Sequence, residues 1–210
     1  MLEPDVTVTD YVLSLVCAIF AWWCWRRRAD AHLWYVVFFI TLCLASLFGG
    51  TVHGFVPTGP WSEALWCAML LSLGGTAVAM WGIAMSLGWC RRSTHRVVMS
   101  VVALCAVVYL GAILSGVRAF EISIMAYLPA ALAMLMVYVG RRHQAGPWRW
   151  GIIGVLLTFV AAGVQVGQVA LHPQWFNHNA LYHLIQVIAL FAIARAAGAR
   201  ITERPHAIGQ

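Results

Sequence analysis

Four of the eight histidines, His53, His172, His178 and His183, stand at the ends of long apolar runs, and Asp10 and Glu63 place carboxylates at comparable positions. Imidazole nitrogens and carboxylate oxygens are zinc ligands, and a catalytic zinc takes three of them and leaves a fourth position to water. The bound water becomes a nucleophile near neutral pH, and a neighbouring carboxylate takes its proton. The expected ligand set is His53 and His183 with a third from Glu63, His178 or His172. That chemistry suits hydrolysis of an amide or ester bond in a lipid entering sideways. Gln165, Gln168 and His172 follow one another at spacings of three and four, as do Asn179, His183 and Gln186, so each trio shares a helical face. Asn179, Gln186, Gln168 and His172 are expected to hold the site by hydrogen bonds. His32, His95, His143 and His206 lie beside arginines and read as solvated polar residues.

The elements that must position these groups follow from composition. Of 210 residues, 62% are hydrophobic and 10% charged, with a mean hydropathy of +0.83. A water-soluble globule of this size has too much surface to hide so many apolar side chains, and a disordered chain has too few of them. A helix crosses the hydrocarbon layer with about 20 apolar residues. Seven such runs fit, at approximately 10–25, 33–55, 62–89, 97–115, 121–140, 148–171 and 180–197. The expected fold is therefore an all-α integral membrane protein, with residues 1–210 forming a single seven-helix domain.

Direction comes from the basic residues, all thirteen of which are Arg. Assigned to alternate loops, Arg26, Arg27, Arg28, Arg91, Arg92, Arg96, Arg141, Arg142, Arg149, Arg195, Arg200 and Arg204 fall on one side and Arg118 alone on the other. Cytoplasmic loops carry the excess of positive charge, so the N-terminus is expected outside and the C-terminus in the cytoplasm. His53, Glu63, His172, His178 and His183 then share the outer third, where ionisable groups face the bundle interior and mark function. The arginines punctuate apolar runs instead of gathering on one solvated face, which argues against nucleic acid and for the lipid bilayer as the partner. The six cysteines form no ligand or disulfide pattern and read as packing residues. Most of the eleven Trp flank the runs as interfacial anchors, and Gly49-Gly50, Gly74-Gly75 and Gly163-x-x-x-Gly167 read as close helix contacts.

Seven spans, a histidine closing the second, an acid opening the third and a histidine motif opening the seventh resemble the CREST superfamily, which includes alkaline ceramidases and the progestin and adiponectin receptor proteins. Their ceramidase-like pattern has Ser-x-x-x-His on the second span, an Asp about ten residues later and His-x-x-x-His on the seventh. His53, Glu63 and His183 match the second-span histidine, the acid and the second histidine of the last motif. The serine position falls on Gly49, with Ser46 one turn lower, and the first histidine falls on Asn179, with His178 beside it. Glu3, Asp5 and Asp10 loosely echo the acidic calcium site that ceramidases carry before their first span. The resemblance implies a zinc site, a lipid amide or ester substrate, Glu63, Ser46 and Asp10 as catalytic residues, and a multi-pass protein of a bacterial inner membrane. Two other functions fit the same residues. One is a non-catalytic seven-helix subunit that binds a ligand in the polar pocket; the other is a b-type haem protein with His53 and His183 as axial ligands.

Overall fold

The structure is a computed structural model that describes residues 2–56, 58–89, 92–172 and 175–198, with backbone alone at 92 and 93. Arg91, Arg200, Arg204, Cys90 and His206 lie outside the described residues. Seven helices account for nearly all the rest: α1 (Pro4–Arg27), α2 (His32–Phe55), α3 (Pro60–Ser86), α4 (Arg92–Leu114), α5 (Glu121–Gly140), α6 (Trp148–Val166) and α7 (His178–Ala197). All seven contain stretches long and apolar enough to cross a membrane. Without water to bond the backbone, such sequences satisfy each N–H and C=O within the helix.

Local signals set the helix ends. Pro4 and Pro60 occupy the first helical turn, where a missing N–H costs nothing. Asn177 caps α7 by accepting from the Asn179 and Ala180 amides at 2.9 and 3.1 Å. The helix α1 begins at Pro4, six residues before the apolar run does, because Thr7 and Thr9 return their hydroxyls to the Glu3 and Asp5 carbonyls and remain compatible with a helix. At α6 the difference is the reverse. The helix stops at Val166, Gln168 turns into the left-handed region at φ 51°, and His172 pairs with Phe176 in an antiparallel bridge. Gln165, Gln168 and His172 therefore do not share a helical face.

The helix α1 packs on α2 and α7, α2 also on α3, α3 on α5, and α6 on α7, while α4 lies at the edge against α3 and α5. Glycines permit two of these approaches. A Cβ at Gly50 would lie 2.8 Å from Asp10 Cβ, and one at Gly154 would lie 2.6 Å from Ile193 Cγ1 and 2.8 Å from the Ala189 carbonyl oxygen. Gly163 does not act in this way, since a Cβ there would meet nothing within 4 Å. The core of Tyr35, Phe38, Phe39, Met80, Met134, Trp148 and Leu190 fills the half of the bundle where α2 and α6 begin and α1, α3, α5 and α7 end. There the Tyr35 and Tyr138 hydroxyls meet at 2.6 Å, so neither is buried alone. Around the outside, Leu15, Ile19, Val101, Leu104, Val107 and Met125 are exposed, an apolar belt that a water-soluble monomer rarely shows.

The described arginines other than Arg118 sit at that same core-filled end. Arg26, Arg27, Arg28, Arg141 and Arg195 lie over the rings of Trp22, Trp23, Trp25, Trp148 and Trp150 at 4.3–6.0 Å. Arg118 is at the other end, with its Nη1 donating to the Ile113 carbonyl at 2.7 Å.

Candidate functional site

The end opposite the arginine belt, where α1, α3, α5 and α7 begin and α2, α4 and α6 end, holds a cavity of about 560 Å³. Its two sides differ in character. Gln165, Gln168, His178, Asn179, Tyr182, His183 and Gln186 line it from α6, α7 and the turn after α6, joined by Asp10 of α1 and by the apolar Leu13 and Val166. Leu42, Ala45, Met69, Leu73, Phe120 and Ile124 line it from α2, α3 and the start of α5, interrupted by Ser46, His53 and Glu121.

At the centre of the polar wall, Asp10 Oδ1 lies 3.2 Å from His183 Nε2. Both residues are almost wholly buried, at 6% and 12% side-chain exposure. The other ring nitrogen, Nδ1, lies 3.1 Å from Thr9 Oγ1. The Thr9 hydroxyl also has backbone acceptors at 2.8 Å (Asp5) and 3.0 Å (Val6). A proton must lie between Nε2 and the carboxyl group, carried by one or the other, because two bare lone pairs would repel at that distance. The pair thus holds one shared proton in a buried place, where an unpaired charge would be costly.

Around this pair, Gln165 Nε2 donates to Asn179 Oδ1 at 2.6 Å, which ties α6 to α7. The Oε1 atoms of Gln165 and Gln186 are buried without a hydrogen-bond partner. Gln186 is itself only 5% exposed, so its carbonyl oxygen is an acceptor awaiting a donor. Nearer the rim, His53 Nδ1 lies 3.3 Å from Glu3 Oε2, and the Asn177 amide donates to Asp5 Oδ2 at 3.1 Å.

Of the residues singled out from sequence, Asp10, Ser46, His53, Gln168, His178, Asn179, His183 and Gln186 come together on this cavity. Glu63 does not. It is exposed and absent from the lining, because the cavity face of α3 runs through Trp66, Met69 and Leu73, and one turn earlier that face reaches Ser62. His172 is exposed in the turn after α6 and also lies off the lining. His178 is the first residue of α7 and borders the cavity from there. Thr9 and Glu121 were not foreseen. Thr9 precedes Asp10 in a stretch that sequence left outside the first span, and Glu121 opens its helix at the same end by the argument applied to Glu63.

The chain belongs to the family of unknown function DUF6962, matched over residues 6–202. No curated protein and no solved structure matches it.

The donor set does not fit a catalytic zinc. Three protein ligands are required, and among the described residues no three His, Cys, Asp or Glu side chains are grouped to hold an ion. Asp10 and His183 supply an oxygen and a nitrogen, but His53 Nδ1 is directed to Glu3 and Glu63 is elsewhere. An axial role in haem ligation fits no better, since Nε2 of His183 is turned to Asp10 and Nδ1 to Thr9.

Proposed function

We propose that this DUF6962 chain is a multi-pass membrane protein that binds an amphiphile in the cavity between α1, α2, α3, α5, α6 and α7. The observation that carries this reading is the division of the cavity wall. A polar side built on Asp10, His183 and Gln186 faces an apolar side built on Leu42, Met69 and Leu73. A ligand with a polar head and an apolar chain satisfies both sides at once, and its donors would meet the unpartnered oxygens of Gln165 and Gln186. The arginine belt at the opposite end supports an orientation with that belt in the cytoplasm and the cavity facing outward, as in a bacterial inner membrane.

The test is photolabelling with a diazirine-bearing single-chain alcohol, in phosphatidylcholine discs, followed by peptide mapping. Label concentrated on the peptides holding Ser46–His53 and His178–Gln186 is expected. Label spread evenly over Leu15, Val101, Leu104 and the rest of the apolar belt would overturn the reading.

Zinc-dependent hydrolysis of a lipid amide or ester is a second reading, and with it the likeness to the CREST superfamily. Its support is the Asp10–His183 contact, an oxygen and a nitrogen at 3.2 Å that a cation can bridge. Elemental analysis of the wild type and of His183→Ala decides it. One zinc per wild-type chain and none in the variant would restore it; no zinc in either removes it.

A further inference from the structure

The same cavity specifies the chemistry of the head it accepts, an inference that rests on the amphiphile-binding reading and deepens it. Its polar wall is rich in acceptors. Gln186 Oε1 and Gln165 Oε1 are buried and unpartnered, and the Asp10 carboxyl group lines the same cavity with its Oδ1 facing His183 and its Oδ2 as a further acceptor. Glu121 contributes a further carboxylate on the facing side. Among the described residues the lining contains no arginine, and the sequence contains no lysine, so nothing there offers a permanent positive charge. Histidine is the one cation-forming residue type on the wall. His183 has both nitrogens engaged, His53 faces Glu3 through Nδ1, and His178 borders the cavity from the first position of α7.

An anionic head would meet two carboxyl groups and unpaired carbonyl oxygens without a compensating guanidinium. An alcohol has one proton to give. A primary ammonium has three N–H donors and the opposite charge, and it matches the count of acceptors on Gln165, Gln186 and Asp10. We propose that the ligand is a single-chain primary amine, bound as its ammonium with N–H donors to Gln186 Oε1 and the Asp10 carboxylate and with its chain against Leu42, Met69 and Leu73.

Charge-assisted hydrogen bonds in a buried site are about twice as strong as neutral ones, which converts to roughly a tenfold or greater difference in affinity. The experiment is calorimetric titration of the full chain in phosphatidylcholine discs with decylamine, decanol and decyl sulfate, using empty discs as the blank. The amine is expected to bind about tenfold or more tightly than the alcohol and the sulfate least. Gln186→Met, which keeps the shape and removes the acceptor, and Asp10→Asn, which removes the charge, are each expected to erase most of the amine's advantage over decanol. Equal binding of decanol and decylamine to the wild type, or an undiminished preference in both variants, overturns the amine assignment and leaves the amphiphile-binding reading standing. Failure of all three probes to bind above the blank overturns both.

Discussion

Asp10 and His183 are separated by most of the chain, yet their side chains meet at 3.2 Å in the interior, joining the first helix to the last. The contact lies at the cavity end of the bundle, where α1 packs on α7 as well as on α2. A buried pair of this kind is destabilising when one member is removed, since the other is left without its partner. Asp10→Ala is therefore expected to lower unfolding stability in detergent by about 1–3 kcal/mol, the usual cost of an orphaned buried polar group. Asp10→Asn retains a donor toward Nε2 and should lose less. Tryptophan fluorescence against temperature orders the three proteins; an Asn variant no better than the Ala variant would argue against a hydrogen-bonded pair.

Two glycines predict opposite results from the same substitution. Gly50→Ala puts a methyl group 2.8 Å from Asp10 Cβ and must push α1 from α2, at a cost of about 1–3 kcal/mol. Gly163→Ala enters open space in the last turn of α6 and should be neutral or gain a fraction of about 1 kcal/mol from helix propensity. Thermal midpoints of the two variants, measured side by side in one detergent, check both signs.

Asn177 anchors the start of α7, where His178 and His183 are carried. Loss of its cap in Asn177→Ala should cost about 1 kcal/mol, whereas Asn177→Asp preserves an acceptor and should restore most of it. Because the side chain of Asn177 accepts from the Asn179 and Ala180 amides, hydrogen exchange at the first turn of α7 should accelerate in the Ala variant alone. Uniform exchange in both variants would show that the cap does not hold the helix end.

For orientation, reporter fusions placed after Arg92 and after Arg142 should both report the cytoplasmic side. Either one reporting the outer side would reverse the assignment of the cavity mouth.

The seven helices were legible because apolar run length is a strong signal where no soluble segment competes with it. Their ends were less so. α1 reaches back to Pro4 through threonines that a hydropathy reading excludes, and α6 stops at Val166 because Gln168 turns left-handed, although the residues beyond it remain apolar. The cavity was legible to the extent that alternation of spans assigns each residue a depth: Asp10, His53, His178 and His183 all line it. Depth does not assign azimuth. Glu63 has the right depth, yet the cavity-lining face of α3 misses it, and Glu121 at similar depth borders the cavity. The pairing of His183 with Asp10 and Thr9 depends on how α1 and α7 rotate about their own axes, which spacing within either helix does not encode.

The packed half of the bundle has a consequence for traffic. Beneath the cavity, Phe38, Phe39, Met80, Met134 and Leu190 are fully or almost fully buried, and the two tyrosine hydroxyls there are spent on each other. The buried hydroxyls of Thr76 and Thr158 donate to carbonyls of their own helices. On the amphiphile-binding proposal the molecule is a cup and not a pipe: a ligand that enters the cavity would leave by the same mouth, because the layer beneath it is filled by packed side chains.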